Sequence, residues 1–243
     1  MFESSISSQE QQLGLASSAL FQPEEGFVCS KEIALVLGVA VARKSAPRNV
    51  NRPKKGSSIK VEPIRDLAAI QKIKDHLVAS PRDLCLFTFG INTAYRAGEI
   101  LSLRVGQVEH LRPGDRFELK QTKSGKYRAI TVNQTVIAAI RAWLEEHPDR
   151  RPYAPLFPSR KTGAALTVSA VHKMVKTWCR EAGLKGNYGS HTMRKTWGYH
   201  QRVQKNQPIP LLMAAFGHST QAQTLEYLCI QDDEIQDLYG LEL

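Results

Sequence analysis

Along IRDLAAIQKIKDHL the apolar residues Ile64, Leu67, Ile70, Ile73 and Leu77 fall at three- and four-residue steps, the period of one helix face. Ser80-Pro81 then reads as a helix start, because proline at the first helical position gives up an N–H that has no partner there anyway. DLCLFTFGI behind it is apolar all round, as a helix sunk in a core would be. The period changes between Val105 and Val132. Phe117–Gln121 and Tyr127–Val132 are short β-leaning runs flanking Lys123-Ser-Gly-Lys126, and Pro113-Gly114-Asp115 reads as a turn. Helical spacing returns over Val136–Leu144, Val168–Ala182, around His191, over Ile209–Phe216 and over Thr220–Ile230. The pattern predicts an α+β fold, mainly α-helical, with one small antiparallel β-sheet.

This regular pattern begins near Pro63. Before it the chain is first rich in serine and glutamine, then briefly apolar, and from Ser45 to Ser58 it carries two prolines, a glycine and a cluster of bases. The division expected is an irregular N-terminal segment with a basic linker over 1–60 and a folded domain over 61–243. Lys54 and Lys55 make the linker a candidate DNA-tracking arm.

Charge sharpens the picture. Lysine and arginine number 33 against 23 aspartates and glutamates, a formal charge of +10. A surplus of that size suits a polyanionic partner, nucleic acid above all. It is unevenly spread: residues 26–60 hold eight bases and one acid, whereas the chain after Tyr227 is acidic, with Asp232, Asp233, Glu234, Asp237 and Glu242 and no base. The four cysteines stand singly, giving neither a disulfide framework nor zinc-ligand spacing. No secretory signal is visible, and the longest apolar run, Ile33–Ala42, is too short to span a bilayer. A cytoplasmic protein without metal or cofactor is the simplest expectation.

Six positions carry candidate chemistry. Arg96 sits among small and apolar residues in NTAYRAGEILSLRV, where a buried guanidinium needs an anion; Glu99 could supply it internally. Lys123 lies in the QTKSGK turn, a hairpin tip able to reach a nucleic-acid backbone, with Lys126 competing for that role and Arg128 a further backbone contact. In HTMRKTWGYH, His191 and Arg194 are three apart and share a helix face. Ser190 is a candidate N-cap, Lys195 a DNA contact, and Trp197, Tyr199 and His200 packing or structural groups. A guanidinium at a helix start suits a phosphate, whose oxygens accept two parallel hydrogen bonds. Farther on, His218 follows a glycine helix stop, and Tyr227 lies nine residues later in a helical run. A phenol ionises near pH 10, so Tyr227 needs cationic neighbours or a base to act as a nucleophile.

Taken in order, TAYRAGEILSLR, QTKSGKYRAITV, HTMRK and FGHS…TLEYL resemble the first arginine box, lysine hairpin, HxxR box and final histidine and tyrosine of the tyrosine recombinase (phage integrase) family. The resemblance covers about Pro63 to Asp232. Ala94 and Tyr95 stand where the family usually has Gly-Leu, a difference that bears on local packing. The short region upstream resembles catalytic-domain-only members such as the fimbrial inversion recombinases.

The resemblance implies a site-specific DNA recombinase or integrase of mobile-element type, with Arg96, Lys123, His191, Arg194, His218 and Tyr227 as its catalytic set. Tyr227 would attack a DNA phosphodiester to give a 3′-phosphotyrosyl link, Arg96 and Arg194 would hold the non-bridging oxygens, and His191 would accept the phenol proton or bond the phosphate. Lys123 would protonate the departing 5′-oxygen, and His218 would donate to the phosphate. Double-stranded DNA, a homotetramer formed on it and an accessory DNA-bending protein are the implied partners. A type IB topoisomerase would use the same chemistry to relax supercoils, and a non-catalytic DNA-binding regulator would keep only the fold. No cluster of carboxylates or histidines has the spacing of a metal-dependent nuclease. The acidic segment Asp232–Leu241, with Ile235, Leu238 and Tyr239 as apolar points, would dock on a neighbouring subunit or on its own domain.

Overall fold

The computed structural model describes residues 60–120, 125, 127–230, 234–236 and 239–240. Lys54, Lys55, Lys123 and Lys126 therefore lie outside the described residues, as does Leu238.

Helix α1 spans Leu67–Leu77, and the Asp66 side chain caps it by accepting from the Ala68 N–H at 2.8 Å. Ala69, Ile70, Ile73 and Leu77 face inward. Leu67, expected on that face, is 56% exposed. The helix begins only after Asp66, so counting its stripe from Ile64 sets the phase wrongly. With about 100° of turn per residue, Leu67 lies roughly 100° from the centre of the buried face. Ile64 is buried all the same, in the chain before the helix, where its N–H donates to Thr196 Oγ1 at 2.8 Å.

Helix α2, Pro81–Asn92, starts at the Ser80-Pro81 signal and is buried along most of its length, as its all-round apolar pattern predicts. The short helices α3 (Ala97–Leu101) and α4 (Val105–Val108) follow. Neither is long enough to repeat a hydrophobic period, so no pattern in the sequence announces them. The antiparallel strands β1 (Arg116–Lys120) and β2 (Tyr127–Thr131) pair Arg116 with Thr131 and Lys120 with Tyr127. Gly114, with φ +92°, makes the turn that leads into β1.

The remaining helices are α5 (Gln134–Glu145), α6 (Val168–Glu181), α7 (Thr192–Val203), α8 (Ile209–Phe216) and α9 (Gln221–Leu228). Asn133, Thr167 and Thr220 cap α5, α6 and α9 with side-chain oxygens. Ser190 does not cap α7. The helix starts one residue later with His191 at the cap position, and Thr192 Oγ1 instead receives the Gly189 N–H.

α2 is the central helix, packed between α5 and α7. A Cβ on Gly90 would lie 2.6 Å from Met193 Sδ, so glycine is what lets α2 and α7 approach so closely. The large core runs from Ile64 to Met193, and a second, smaller one gathers Ala94, Leu212, Phe216, Leu228 and Ile230 with Trp197, Tyr199 and Tyr227. Trp197 and Tyr199 are packing residues as expected, and His200 Nε2 lies 3.0 Å from the Ile64 carbonyl. α7 contributes to both cores, and the candidate site lies along it. In the acidic tail, residues 234–236 are helical and Glu234 pairs with Arg202 of the same chain, while Ile235 and Tyr239 are exposed.

Candidate active site

Arg96 ends the loop after α2 and occupies the N-cap position of α3. The Glu99 carboxylate reaches back one turn to accept from the Arg96 N–H at 2.6 Å and from its Nη1 at 3.2 Å. The internal partner considered for Arg96 is thus present. The same carboxylate also binds Arg128 Nη2, so one buried Glu99 serves two guanidiniums.

Arg128 comes from β2, and its side chain is 8% exposed. It faces inward: Nη1 donates to the Phe216 carbonyl at 3.2 Å and the guanidinium lies over the Tyr95 ring. Tyr95, the departure from the family pattern, is buried, with its hydroxyl 2.9 Å from the Arg128 carbonyl and 3.1 Å from that of Phe117. It ties the chain just before Arg96 to both strands of the hairpin.

Arg194 lies in the first turn of α7 and is only 2% exposed. Nη2 donates to the Phe216 carbonyl at 2.5 Å, while Nε has no partner among the described residues. Its Cζ sits 4.9 Å from the Phe216 ring centroid and 5.8 Å from that of Tyr227. Burial lowers Arg194 to about 10, opposed by the Tyr227 phenol; the group remains a cation at neutral pH. A buried cation with an unused donor and no carboxylate of its own among the described residues is a site for an anion.

The small core brings the last two residues to this guanidinium. A Cβ on Gly198 of α7 would lie 2.4 Å from Phe216 Cζ and 2.7 Å from Leu228 Cδ2, so the bare glycine lets α8 and α9 close over α7. Gly217 ends α8 in the left-handed conformation, φ +66°, and the chain turns His218 back onto the Phe216 ring, 5.1 Å between centroids. His218 Nδ1 lies 3.0 Å from Thr224 Oγ1 of α9, and its ring meets Tyr227 edge-on at 5.1 Å. Burial, then Arg194, Arg96 and Arg128, push His218 down to about 4. The imidazole is therefore neutral at pH 7.

Tyr227, on α9 as expected, places its hydroxyl 3.2 Å from His191 Nδ1. Burial raises the phenol to about 12, while Arg194, Arg96 and Arg128 all pull it the other way. His191 and Tyr227 line one pocket with Ser190, Lys195 and Glu226, and His191 with Ser190 and Arg96 lines a second. Arg96, His191, Arg194, His218 and Tyr227, spread over more than a hundred residues of chain, thus meet in one place. Lys123 lies outside the described residues. Sequence reasoning missed the Phe216 carbonyl, which takes both Arg128 and Arg194, and the buried position of Lys195. No side-chain pattern signals a backbone acceptor.

Residues 63–234 match the sequence model of the phage integrase family. The chain is 31% identical over 180 residues to the probable integrase/recombinase YoeC of Bacillus subtilis, covering 74% of this chain and 95% of that protein. Tyrosine recombinase XerA of Pyrococcus furiosus is 23% identical over 175 residues, covering 72% of this chain and 57% of XerA. The chain thus spans nearly all of one relative and little more than half of the other. In fold it is similar to the crystal structure of XerA recombinase, with a TM-score of 0.60 and 18% identity over 85% of this chain and 70% of that one. The XerH site-specific recombinase in its post-cleavage complex with palindromic difH substrate also gives 0.60, with 21% identity over 80% and 57% of the two chains. With a family match over residues 63–234 and a relative matched over 95% of its length, this chain belongs to the phage integrase family of tyrosine recombinases.

Proposed function

We propose that the protein cuts and rejoins DNA strands at specific sites through a 3′-phosphotyrosyl intermediate. The observation that carries this reading is the meeting of the Tyr227 hydroxyl, His191 Nδ1 and the buried Arg194, which pairs with no carboxylate among the described residues, within one site. A phenol that burial holds near 12 is a poor nucleophile until cations offset its charge.

In the proposed reaction the Tyr227 oxygen attacks the scissile phosphorus. Its proton passes to His191 Nδ1, which accepts it when the neutral ring carries its hydrogen on Nε2. The bond from phosphorus to the 5′-oxygen breaks, and Lys123 from the hairpin protonates the leaving oxygen. Arg96 and Arg194 hold the non-bridging oxygens as charge builds on them. His218 is neutral and, with Nδ1 against Thr224, offers Nε2 to the phosphate. The phosphotyrosyl bond keeps the energy of the phosphodiester, so a 5′-hydroxyl from a partner strand reverses the step. Guanidiniums and an ammonium supply the charge stabilisation.

Strand exchange needs two duplexes, so the working form would be a homotetramer on double-stranded DNA, aided by an accessory DNA-bending protein, in the cytoplasm. Lys54, Lys55, Lys123 and Lys126 would bear on the DNA from the arm and hairpin, and the acidic tail would dock on its own domain or a neighbouring subunit. Arg128 is assigned a supporting role through Glu99 and Phe216.

The test is to incubate the protein with fragmented host genomic DNA, trap covalent complexes and sequence the attached strands. Adducts at a recurring sequence are expected. Tyr227→Phe should form none while still retaining DNA, and Arg194→Ala should lower adduct formation by about 10²–10³-fold. A phenylalanine variant that still links to DNA would remove Tyr227 from the role.

A further inference from the structure

Lys195 follows Arg194 on α7, and the reaction just described gives it no part. Its side chain is buried, 6% exposed, yet it is a lysine. Nζ lies 4.8 Å from the centroid of the Tyr227 ring and donates to Cys229 Sγ at 3.2 Å. Among the described residues it makes no ion pair. Holding an ammonium out of water with a thiol as its acceptor is unfavourable, and an apolar side chain of similar length would fill the same space without that cost.

The acceptor is unusual too. Cys229 ends α9 in the left-handed conformation, φ +60°, where glycine is the favoured residue. A glycine there would relieve the backbone but lose the sulfur that holds Lys195. The turn is also tied to the chain just before α1, because Arg65 Nη2 donates to the Cys229 carbonyl at 2.8 Å.

We propose that Lys195 is a positioning residue for the nucleophile, its ammonium held by Cys229 against the Tyr227 ring so that it steadies the phenolate as the proton leaves. The inference rests on the reading of Tyr227 as nucleophile. Phenolate charge spreads from the oxygen into the ring, so a cation beside the ring is attracted more strongly to the ionised form than to the neutral one. That difference is what accelerates the attack. The other groups around Tyr227 are His191 and Arg194 from the start of α7, His218 after α8, Arg96 from the N-cap of α3 and Arg128 from β2. Glu226, Lys60 and His172 complete the pocket wall. Lys195 differs from Arg96 and Arg194 in having no place on the phosphate in the proposed reaction, and from Arg128 in having no carboxylate partner among the described residues. Its charge is left for the tyrosine.

The experiment compares adduct formation on fragmented genomic DNA by the parent, Lys195→Met and Lys195→Arg. Each is prepared with ordinary tyrosine and with the more acidic 3,5-difluorotyrosine at position 227. Lys195→Met should slow adduct formation about tenfold with tyrosine, the effect of one unit of phenol acidity. The deficit should shrink to roughly twofold with the fluorinated phenol, which needs less help. Lys195→Arg should retain the parent rate with either phenol. Should circular dichroism show that the methionine variant is unfolded, Lys195→Gln serves in its place. A methionine or glutamine variant as fast as the parent, or slowed by the same factor with both phenols, overturns the inference and leaves Tyr227 in its role. A parent that forms no adduct overturns both.

Discussion

Replacing Glu99 with glutamine removes the charge that the buried end of the site relies on while keeping the side chain's volume. The carboxylate and Arg128 are 5% and 8% exposed, so water cannot take over for either. Breaking a buried pair by neutralising one partner costs about 3–5 kcal/mol. The glutamine carbonyl still accepts one hydrogen bond, which favours the low end, about 3 kcal/mol. Arg96 has 32% of its side chain in solvent and adds less than about 1 kcal/mol. For a domain of this size the sum corresponds to a fall in Tm of roughly 10 °C. Urea unfolding followed by circular dichroism measures it, with the slope compared between variants. The double variant Glu99→Gln with Arg128→Met distinguishes a lost pair from lost packing. Removing both charges leaves no unpaired cation, so the double should be only about 1–2 kcal/mol below the parent and milder than the glutamine variant alone. A Glu99→Gln protein within about 1 kcal/mol of the parent, or a double variant whose losses add, would refute the account.

Three further outcomes are expected. His218 is depressed to about 4 in the folded chain, against an ordinary value near 6.5, so between those values the unfolded chain binds the proton and the folded one does not. Stability should fall as pH drops from 6.5 toward 4, by at most about 3 kcal/mol given partial exposure. His218→Gln should flatten the slope measured by urea titration at each pH, leaving the part due to His200, which burial also lowers. Gly198→Ala should destabilise by about 1–3 kcal/mol in thermal unfolding, because the methyl would meet Phe216 and Leu228; a gain from helix propensity would contradict the packing described. Tyr95→Phe should cost about 1 kcal/mol in urea unfolding, since the carbonyls of Phe117 and Arg128 lose a shared donor.

Hydrophobic spacing alone fixed most of the helices. α8 spans the residues its pattern predicts, α5, α6 and α9 differ by a residue or two at their ends, and the hairpin falls where the β-leaning runs flank Lys123-Ser-Gly-Lys126. These are local properties: the period of burial, a capping oxygen, a glycine able to turn left-handed. The same local logic failed at Leu67, whose phase depends on where α1 starts, and at α3 and α4, too short to carry a period. Ser190 lost the cap for a related reason, since Thr192 makes that turn's hydrogen bond instead.

The candidate residues were picked out by the order and spacing of four boxes that resemble the tyrosine recombinase family, since a lone guanidinium, imidazole or phenol reads equally well as a packing or salt-bridge group. What their chemistry amounts to was decided in three dimensions. Glu99 came to be shared by Arg96 and Arg128, the Phe216 carbonyl took Arg128 and Arg194, and Lys195 was set beside the Tyr227 ring. Each joins segments tens of residues apart through a backbone carbonyl, a single carboxylate or the face of a ring. Sequence determines which groups a chain can offer and the local elements that carry them. Which of those groups share an acceptor, and so which cation is left for an anion, depends on the close packing of α7, α8 and α9 that Gly198 permits.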